Sequence, residues 1–421
     1  MLKLSKVLVL SLLVVCLASA AFATTSRVQA LAGTSNYIND DSNIFRWYGT
    51  LPSYANLVMA EAGNGTSQGG DSAVNADDQA LGFTYSWGED SPLGTWGIFL
   101  LTNSLDDGSF FAFNPLITLG VLAGGGAAGF TGLVETPTTK FVLAWGNELE
   151  QFSYGINFTR SDAEFENTDP LAPPELETLS FTTFGGGVRA DLGENAYLDV
   201  AVTYGKAGGE TTPAGLDVFD TSTAFDIAGR IFFEWRDDIT MVPFVGFQTF
   251  EYSPNLPVPP ATSTGIQGTD FTLGISFNMD VNTSNMLIFA TEFESATVEP
   301  ANVVAGDLSK ADATVLPKFF LAVESDINSW LTTRVGATKT MVKIEVTDVL
   351  GNTTTETGNP LRINPVTEFE WFLGAGFHMG DWDVDAVLAN DTPFRLGYWL
   401  TGFGTDDPDP PIKRISATYR F

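Results

Sequence analysis

Several segments of the chain alternate strictly between apolar and polar side chains. In residues 151–159, every second side chain is aromatic or aliphatic, and the others are Gln, Ser, Gly, Asn or Thr. The same pattern recurs in residues 225–236, 271–280, 369–377 and 382–388. Successive side chains of a β-strand point to opposite faces of a sheet. The pattern therefore predicts an all-β protein whose strands each have one apolar and one polar face.

The links between these segments alternate in length. Short links rich in Gly, Asn and Asp lie at 146–147, 193–194, 237–238, 282–283, 328–329 and 380–381. Long polar links lie between them, at 161–178, 208–221, 253–265, 299–312, 348–364 and 390–411. Transmembrane β-barrels have short periplasmic turns and long outer loops between strands of this kind. We predict a transmembrane antiparallel up-and-down β-barrel.

The segments add up to an even number of strands, as single-chain barrels require. The alternation predicts sixteen, at 55–61, 78–88, 93–103, 138–147, 149–160, 178–192, 194–208, 222–237, 238–252, 266–281, 283–298, 313–327, 329–345, 364–379, 381–390 and 411–421. The first three are the weakest, so fourteen is the alternative. A soluble sandwich or propeller is disfavoured because no blade-length repeat is visible and many apolar faces would be exposed.

Residues 1–23 have the features of a secretory signal peptide, with Lys3 and Lys6 before an apolar run and Ala21-Phe22-Ala23 as a cleavage site. Cleavage there removes Cys16, so we expect a mature chain without disulfides or thiolate metal sites. The net charge of −31 disfavours nucleic-acid binding. The predicted organisation is a signal at 1–23, an N-terminal segment at 24–54 and a barrel at 55–421.

The last residues alternate in the same way, with Ile415, Ala417, Tyr419 and Phe421 on one face. This stretch resembles the final strand of bacterial outer-membrane β-barrels, which ends in Phe behind alternating apolar residues. The resemblance implies an outer-membrane location, contact with outer-membrane lipid, and recognition of Tyr419 and Phe421 as a signal by the barrel-assembly machinery. A closed barrel must also pair its first strand with its last.

Residues 27–54 follow the signal without strand alternation. The stretch Asp40-Asp41-Ser42-Asn43-Ile44-Phe45 resembles part of the N-terminal hatch of the FadL-type fatty-acid transporters. Trp47-Tyr48-Gly49 stands where that family has an Asn-Pro-Ala core, so hydrophobic-substrate specificity does not follow. The resemblance implies a plug inside the lumen. A periplasmic tether and an extra strand are the alternatives.

Residues 109–134 carry no charge and contain six glycines. Gly and Pro115 disfavour a helix here, and the order of the links places the stretch on an outer loop. A long apolar loop needs shelter, so we expect it to fold into the barrel mouth as a constriction. A subunit contact or an extra hairpin is the alternative.

If the apolar faces meet lipid, the polar faces line the lumen, where charge costs little. This reasoning predicts an inward-facing set: Asp199, Asp226, Arg230, Glu234, Arg236, Glu368, Glu370, Asp383 and Asp385. The set leans acidic and favours cations weakly. Mutual pairing that fills the core is the alternative, but about sixteen strands enclose more space than side chains fill.

No catalytic site or metal site is predicted, and no cofactor is implied. The chain has one histidine, His378, expected on the lumen side near a periplasmic turn, where an amphipathic ring is common. We predict a porin-like channel for passive passage of small solutes. The alternatives are a non-conducting barrel that binds an outside partner and a FadL-type transporter of hydrophobic substrates. The sequence leaves open the solute, the state of the lumen and a possible homo-oligomer.

Overall fold

The computed structural model describes residues 25–64, 77–88, 91–102, 139–166, 176–212, 216–217, 219–254, 266–300, 308–348, 353–358, 369–388 and 412–421. Residues 1–24, which include the predicted signal, and residues 109–134 lie outside this part of the chain. Among the described helices, none has the length and apolar character needed to span a membrane.

Nearly all of the described chain forms β-strands. They are β1 (Leu57–Asn64), β2 (Asp77–Ser86), β3 (Thr95–Thr102), β4 (Thr139–Leu149), β5 (Phe152–Glu166), β6 (Leu176–Gly193), β7 (Ala196–Thr212), β8 (Leu216–Asp217), β9 (Phe219–Arg236), β10 (Ile239–Pro254), β11 (Ile266–Asn282), β12 (Asn285–Pro300), β13 (Leu308–Asn328), β14 (Leu331–Lys339), β15 (Val342–Asp348), β16 (Thr353–Gly358), β17 (Phe369–Met379), β18 (Trp382–Leu388) and β19 (Ile412–Arg420).

The strands form one closed antiparallel sheet. Strand β8 pairs with β7, β15 pairs with β13, and β16 pairs with β15, so these three short strands extend the sheet beyond the ring. The other sixteen strands form the closed ring. The first strand pairs with the last over seven residues, from Leu57 opposite Arg420 to Gly63 opposite Arg414. The sixteen-stranded up-and-down barrel predicted from the sequence is confirmed, including its closing seam.

The alternation of side chains gives the barrel an apolar outer face. Large apolar residues exposed on this face include Phe152, Ile156, Phe184, Phe225 and Leu273. Aromatic side chains gather near the short turns, where Tyr419 lies 4.8 Å from Trp382 and 6.3 Å from Phe421 between ring centroids. Exposed aromatic belts suit a surface whose surroundings change from apolar to polar. The polar residues between them face the interior.

The described strands differ in length around the ring. Strands β6, β7 and β9–β13, which we call the tall wall, have 16 to 21 residues each. Strands β1–β4, which we call the low wall, have 8 to 11 described residues, and each of them adjoins residues outside the described part of the chain. A membrane-crossing β-strand needs about 9–11 residues. The tall wall therefore extends beyond the apolar belt at the end that carries the long links.

One predicted strand is divided in the structure, while others are longer than predicted, such as β5, which runs to Glu166 rather than to residue 160. The sequence predicts a single strand over 329–345, whereas the structure breaks it between Lys339 and Val342 into β14 and β15. Strand β13 pairs with β14 along its second half and with β15 along its first half. The break lets the chain continue into the β15–β16 hairpin above the ring, where Val342, Ile344 and Val346 of β15 still alternate with polar residues. Alternation alone therefore does not mark the boundary.

The N-terminal segment folds into short helices rather than a strand. They are α1 (Thr25–Ala30) and two 3-10 helices, η1 (Asp41–Phe45) and η2 (Tyr48–Tyr54). The Asp40 side chain caps η1 by accepting a hydrogen bond from the backbone N–H of Ser42. The described residues show no more extensive helical hatch. The resemblance to the fatty-acid transporters therefore stays a prediction for this segment.

Candidate functional site

The N-terminal segment meets inward-facing side chains of the barrel at several places, and the first is an ion network near α1. Arg27 binds both carboxylate oxygens of Glu324 on β13, at 2.9 and 2.8 Å, and contacts Asp40 at 3.1 Å. Arg334 on β14 binds the same Glu324 at 2.5 Å and also pairs with Asp385 on β18. Bidentate guanidinium–carboxylate pairs fix geometry as well as charge. The network ties α1 to three strands.

A second network lies on the tall wall. Asp199 on β7 is paired with Arg189 at 2.7 Å and with Arg230 at 2.9 Å. Arg230 also donates to the backbone carbonyls of Ser35 and Ile38, and its guanidinium lies 4.4 Å from the Trp47 ring centroid. The side chain of Arg230 is completely buried. A buried guanidinium needs such partners because an unpaired buried charge is very costly.

Polar contacts continue along the tall wall toward η1. The Tyr37 hydroxyl donates to Glu292 on β12 at 2.8 Å, and Asn278 on β11 donates to the Tyr37 carbonyl at 2.7 Å. Arg46 faces Asp226 on β9 at the longer distance of 3.8 Å. The tall wall holds the segment through these hydrogen bonds and ion pairs and also through a buried apolar cluster, in which Tyr37 and Trp47 pack against Phe244.

The low wall contacts the segment mainly through apolar side chains. Ile44 and Leu51 of the segment pack with residues from β1, β3 and β4 in one buried cluster: Leu57, Met59, Phe99, Leu101, Val142 and Ala144. Phe45 and Phe99 meet edge to face, with ring centroids 5.0 Å apart. Burial of these side chains supplies stabilisation that does not depend on charge.

Glycines in the wall let the segment approach the sheet closely. A Cβ at Gly155 on β5 would lie 2.0 Å from the Tyr48 carbonyl oxygen, and one at Gly185 on β6 would lie 2.3 Å from the Tyr48 ring. On the other side of the barrel, a Cβ at Gly374 would lie 2.4 Å from the Cβ of Ala30. Such distances exclude any larger residue unless the segment shifts. The wall is shaped to receive this segment.

Two charged groups of the segment have altered pKa values. Burial is the main cause that raises the pKa of Asp41 well above its usual value; Asp40 and Asp385 add to the rise, and Arg420 opposes it. Burial alone would lower the pKa of Arg27, but its bonds to Glu324 and Asp40 raise it above its usual value. Thr418 on β19 donates to Asp41 at 3.2 Å. Arg27 is thus held charged, and Asp41 tends toward its neutral form.

The structure brings some of the predicted lumen residues together and leaves others apart. Asp199, Arg230 and Asp385 are buried within the two networks, and Asp226 faces Arg46. Asp383 is paired with Arg420 at 2.8 Å near the short turns. The remaining predicted residues are more peripheral or lie beyond the described chain: Glu370 on β17 is partly buried, Glu234 and Arg236 are exposed near a short turn, and Glu368 is outside the described residues.

Several charged residues of the networks were not singled out from the sequence. Arg189, Glu324 and Arg334 lie on the inward phase of predicted strands, so strict alternation would have found them. Glu61 and Arg414 form a buried ion pair of 3.1 Å across the closing seam. Arg27 and Arg46 of the segment could not be identified from the sequence, because helices this short show no detectable periodicity of apolar residues.

The single histidine makes a compact hydrogen-bonded group. His378 contacts Asp383 at 2.6 Å through Nδ1 and Thr332 at 2.9 Å through Nε2. Thr332 is buried and donates its hydroxyl proton to Asp326. An attacking hydroxyl needs access to substrate and a proton that the histidine can take. Within the described chain, no group of His, Cys, Asp and Glu is arranged to hold a metal ion. The absence of enzymatic activity stays a prediction.

Comparisons with known proteins concern the fold. No protein-family model matches the chain, and no curated protein matches it. Among solved structures, CdiB from Escherichia coli is 12% identical over 87% of this chain and 63% of its own, with a TM-score of 0.40. The alcaligin outer-membrane receptor FauA from Bordetella pertussis is 9% identical over 79% and 60%, with a TM-score of 0.41. The Pseudomonas putida toluene transporter TodX is 9% identical over 68% and 84%, with a TM-score of 0.34.

This chain spans less than two thirds of the length of CdiB and of FauA. At such identities and scores, what these proteins transport or bind is not transferred to it. The sheet itself carries the assignment, through its pairing order and the closure of β1 on β19. The chain is a closed, sixteen-stranded antiparallel β-barrel whose structural neighbours are outer-membrane barrels.

Proposed function

We propose that this protein is a channel for small solutes in a bacterial outer membrane, and that its N-terminal segment obstructs the lumen. The observation that carries the proposal is the anchoring of residues 26–54. Their contacts reach strands on all sides of the ring, from Ser153 on β5 through Tyr197 and Glu324 to Thr418 on β19. A sixteen-stranded barrel encloses a space that must hold water or a plug.

The networks also indicate how the obstruction can be reversible. Arg27, Glu324 and Arg46 keep part of their side-chain surface accessible to solvent, which screens their charges. Within the described chain, the covalent connection between the segment and the barrel consists of residues 55 and 56, which precede β1. Movement of the segment about this junction would open a path without breaking any strand pair.

The predicted preference for cations is supported by side chains on the tall wall. Asp226, Asp270, Glu292 and Glu294 lie on the inward phase of β9, β11 and β12. Arg46 is the cation facing Asp226, and Lys318 is paired in register with Glu292 on the neighbouring strand. Acidic linings favour cations in water-filled pores. Displacing Arg46 with the segment would increase the negative charge along this path.

Conductance of the purified protein in a planar bilayer tests the proposal. We expect small currents from the full-length protein and a several-fold larger unit conductance after deletion of residues 27–54, with reversal potentials that favour cations. Circular dichroism and heat-shifted gel migration control for an intact barrel in the deletion. Equal conductance of the two proteins would reject the obstruction, and no current from either would favour a non-conducting barrel.

One observation favours a second candidate, a transporter of hydrophobic solutes. The low wall presents Phe99, Leu101 and Val142 to the segment as a continuous apolar surface, which could receive an apolar solute once Ile44 and Leu51 withdraw. Uptake of the probe 1-N-phenylnaphthylamine into proteoliposomes separates the candidates. Faster uptake with the full-length barrel than with empty liposomes, together with no ionic current, would support the hydrophobic route.

The predicted partners remain part of the proposal. The terminal strand has the inward and outward phases expected of an assembly signal, with Phe421 more than half exposed. Outer-membrane lipid would surround the exposed apolar face. Association into a homo-oligomer is open to measurement by native mass spectrometry in detergent.

A further inference from the structure

A cavity of about 390 Å³ opens on the outer face of the tall wall, away from the lumen. Its lining is formed by two rows of outward side chains across β7 and β9–β12. In the row nearer the apolar belt, Tyr204 pairs in register with Phe225, which is followed by Thr249, Thr269 and Thr297. In the row farther from it, Thr223 is followed by Glu251, Gln267 and Glu299.

The cavity lies where the aromatic side chains of the row nearer the apolar belt give way to threonines. Tyr204 and Phe225 project from the wall on one side, while the smaller side chains of Thr249, Thr269 and Thr297 form the floor. Phe247 and Phe271 lie in register directly nearer the belt, and each exposes about 40% of its surface. The cavity therefore has aromatic surfaces beside and beneath it and polar groups above it.

Polar groups of both the rim and the floor are held in place by hydrogen bonds. Gln267 donates to Glu299 at 2.7 Å, Thr297 donates to Asp312 at 2.7 Å, and Thr249 donates to the Gly268 carbonyl at 3.2 Å. None of the lining residues is basic. Lys206 pairs in register with Thr223 on the next strand, outside the lining. Because the lining contains the carboxylates of Glu251 and Glu299 and no basic residue, it disfavours a phosphate and favours a neutral ligand rich in hydroxyl donors.

We propose that this cavity binds a neutral sugar ring of a membrane glycolipid. A sugar ring presents hydroxyl groups that donate to carboxylate and amide oxygens, and its C–H face packs on aromatic rings. The volume lies within the usual range for small-ligand sites, about 300–1,000 Å³. The cavity spans the border between the exposed aromatic belt and the polar wall, where the head groups of the outer leaflet lie. The proposal requires the outer-membrane location but not conduction.

Binding of lipopolysaccharide to the barrel in nanodiscs tests the proposal, with the number of bound molecules and the affinity read by native mass spectrometry. One probe carries the core oligosaccharide, and the other ends at lipid A. We expect the core-bearing lipid to bind about tenfold more tightly, and Tyr204→Leu and Gln267→Leu each to remove most of that difference. Phe184→Leu is the matched control, because Phe184 pairs with Tyr204 in register but does not line the cavity.

Four further results would overturn the proposal. Equal affinity for the two lipids would assign binding to lipid A phosphates or acyl chains. An equal loss in Phe184→Leu and Tyr204→Leu would mean that any belt aromatic suffices. Loss of binding with EDTA and in Glu299→Gln, which keeps an oxygen acceptor but removes the charge, would identify a divalent cation. Delipidated core oligosaccharide that binds as tightly as the whole lipid would exclude a membrane glycolipid as the specific ligand.

Discussion

The tall wall and the low wall hold the same N-terminal segment by different means. The tall wall combines a buried apolar cluster with charged and polar contacts, the latter centred on Arg230 and Glu292. The low wall uses aliphatic and aromatic side chains, centred on Phe99. Ion pairs and hydrogen bonds depend on geometry, pH and salt, whereas apolar burial tolerates small shifts. The directional contacts of the tall wall therefore set the position of the segment, and the apolar clusters of both walls add cohesion.

Removing the central cation of the tall wall should have the largest effect. Arg230→Ala leaves two segment carbonyls without their donor and Asp199 with one partner fewer. Breaking a buried ion pair costs about 3–5 kcal/mol, so hydrogen exchange of residues 26–54 should become faster by more than a hundredfold and conductance should rise. Arg160→Ala is the control, since Arg160 and its partner Asp162 are both exposed. Similar effects of the two substitutions would contradict a specific anchor.

Truncation on the low-wall side should have the next largest effect. Leu51→Ala removes a fully buried side chain from the apolar cluster, at a typical cost of about 2–4 kcal/mol. Because the contact is apolar, the faster hydrogen exchange of the segment should be nearly the same in 50 mM and 500 mM salt. A strong salt dependence in this variant would show that the two walls do not act separately.

A small addition to the wall should displace the segment by a steric effect. Gly155→Ala introduces a Cβ within 2.0 Å of the Tyr48 carbonyl, a backbone atom that must move, and overpacking of this kind costs about 1–3 kcal/mol. Gly186→Ala is matched to it, because the nearest atom there is 3.9 Å away. We expect increased proteolysis near residue 48 in the first variant only. Equal protection in both would mean that the close approach is not maintained in solution.

The smallest expected effect is a pH dependence. The raised pKa of Asp41 means that the docked segment retains a proton which the free segment has lost. Docking should therefore weaken as the pH rises from the usual aspartate value through the raised one. Asp41→Asn should abolish this part of the pH profile of conductance and favour the docked form at neutral pH. Asp40→Asn is the contrast, because it removes the ion pair with Arg27 and should weaken docking.

The sequence predicted the strands of the barrel better than it predicted the contacts of the segment inside the barrel. Alternation located the sixteen strands because lipid-facing and lumen-facing side chains impose a strict period of two. It located Arg230 and Asp385 on inward positions for the same reason. It could not pair Arg27 with Glu324, which is 297 residues away, since such contacts depend on the closed ring. Apolar and polar residues still alternate through Val342, Ile344 and Val346, so alternation did not reveal the break between β14 and β15.

Three glycines of the barrel wall are constrained by residues of the segment that lie far from them in the sequence. Gly155, Gly185 and Gly374 have no side chain where Tyr48 and Ala30 approach. A larger residue at any of these positions would therefore collide with a residue more than a hundred positions earlier in the chain. A lineage that lost the segment would lose this constraint, and larger residues could accumulate at all three positions. Glycine at these positions in related sequences would then indicate that the segment is retained. A larger residue there would indicate a barrel that has lost the segment.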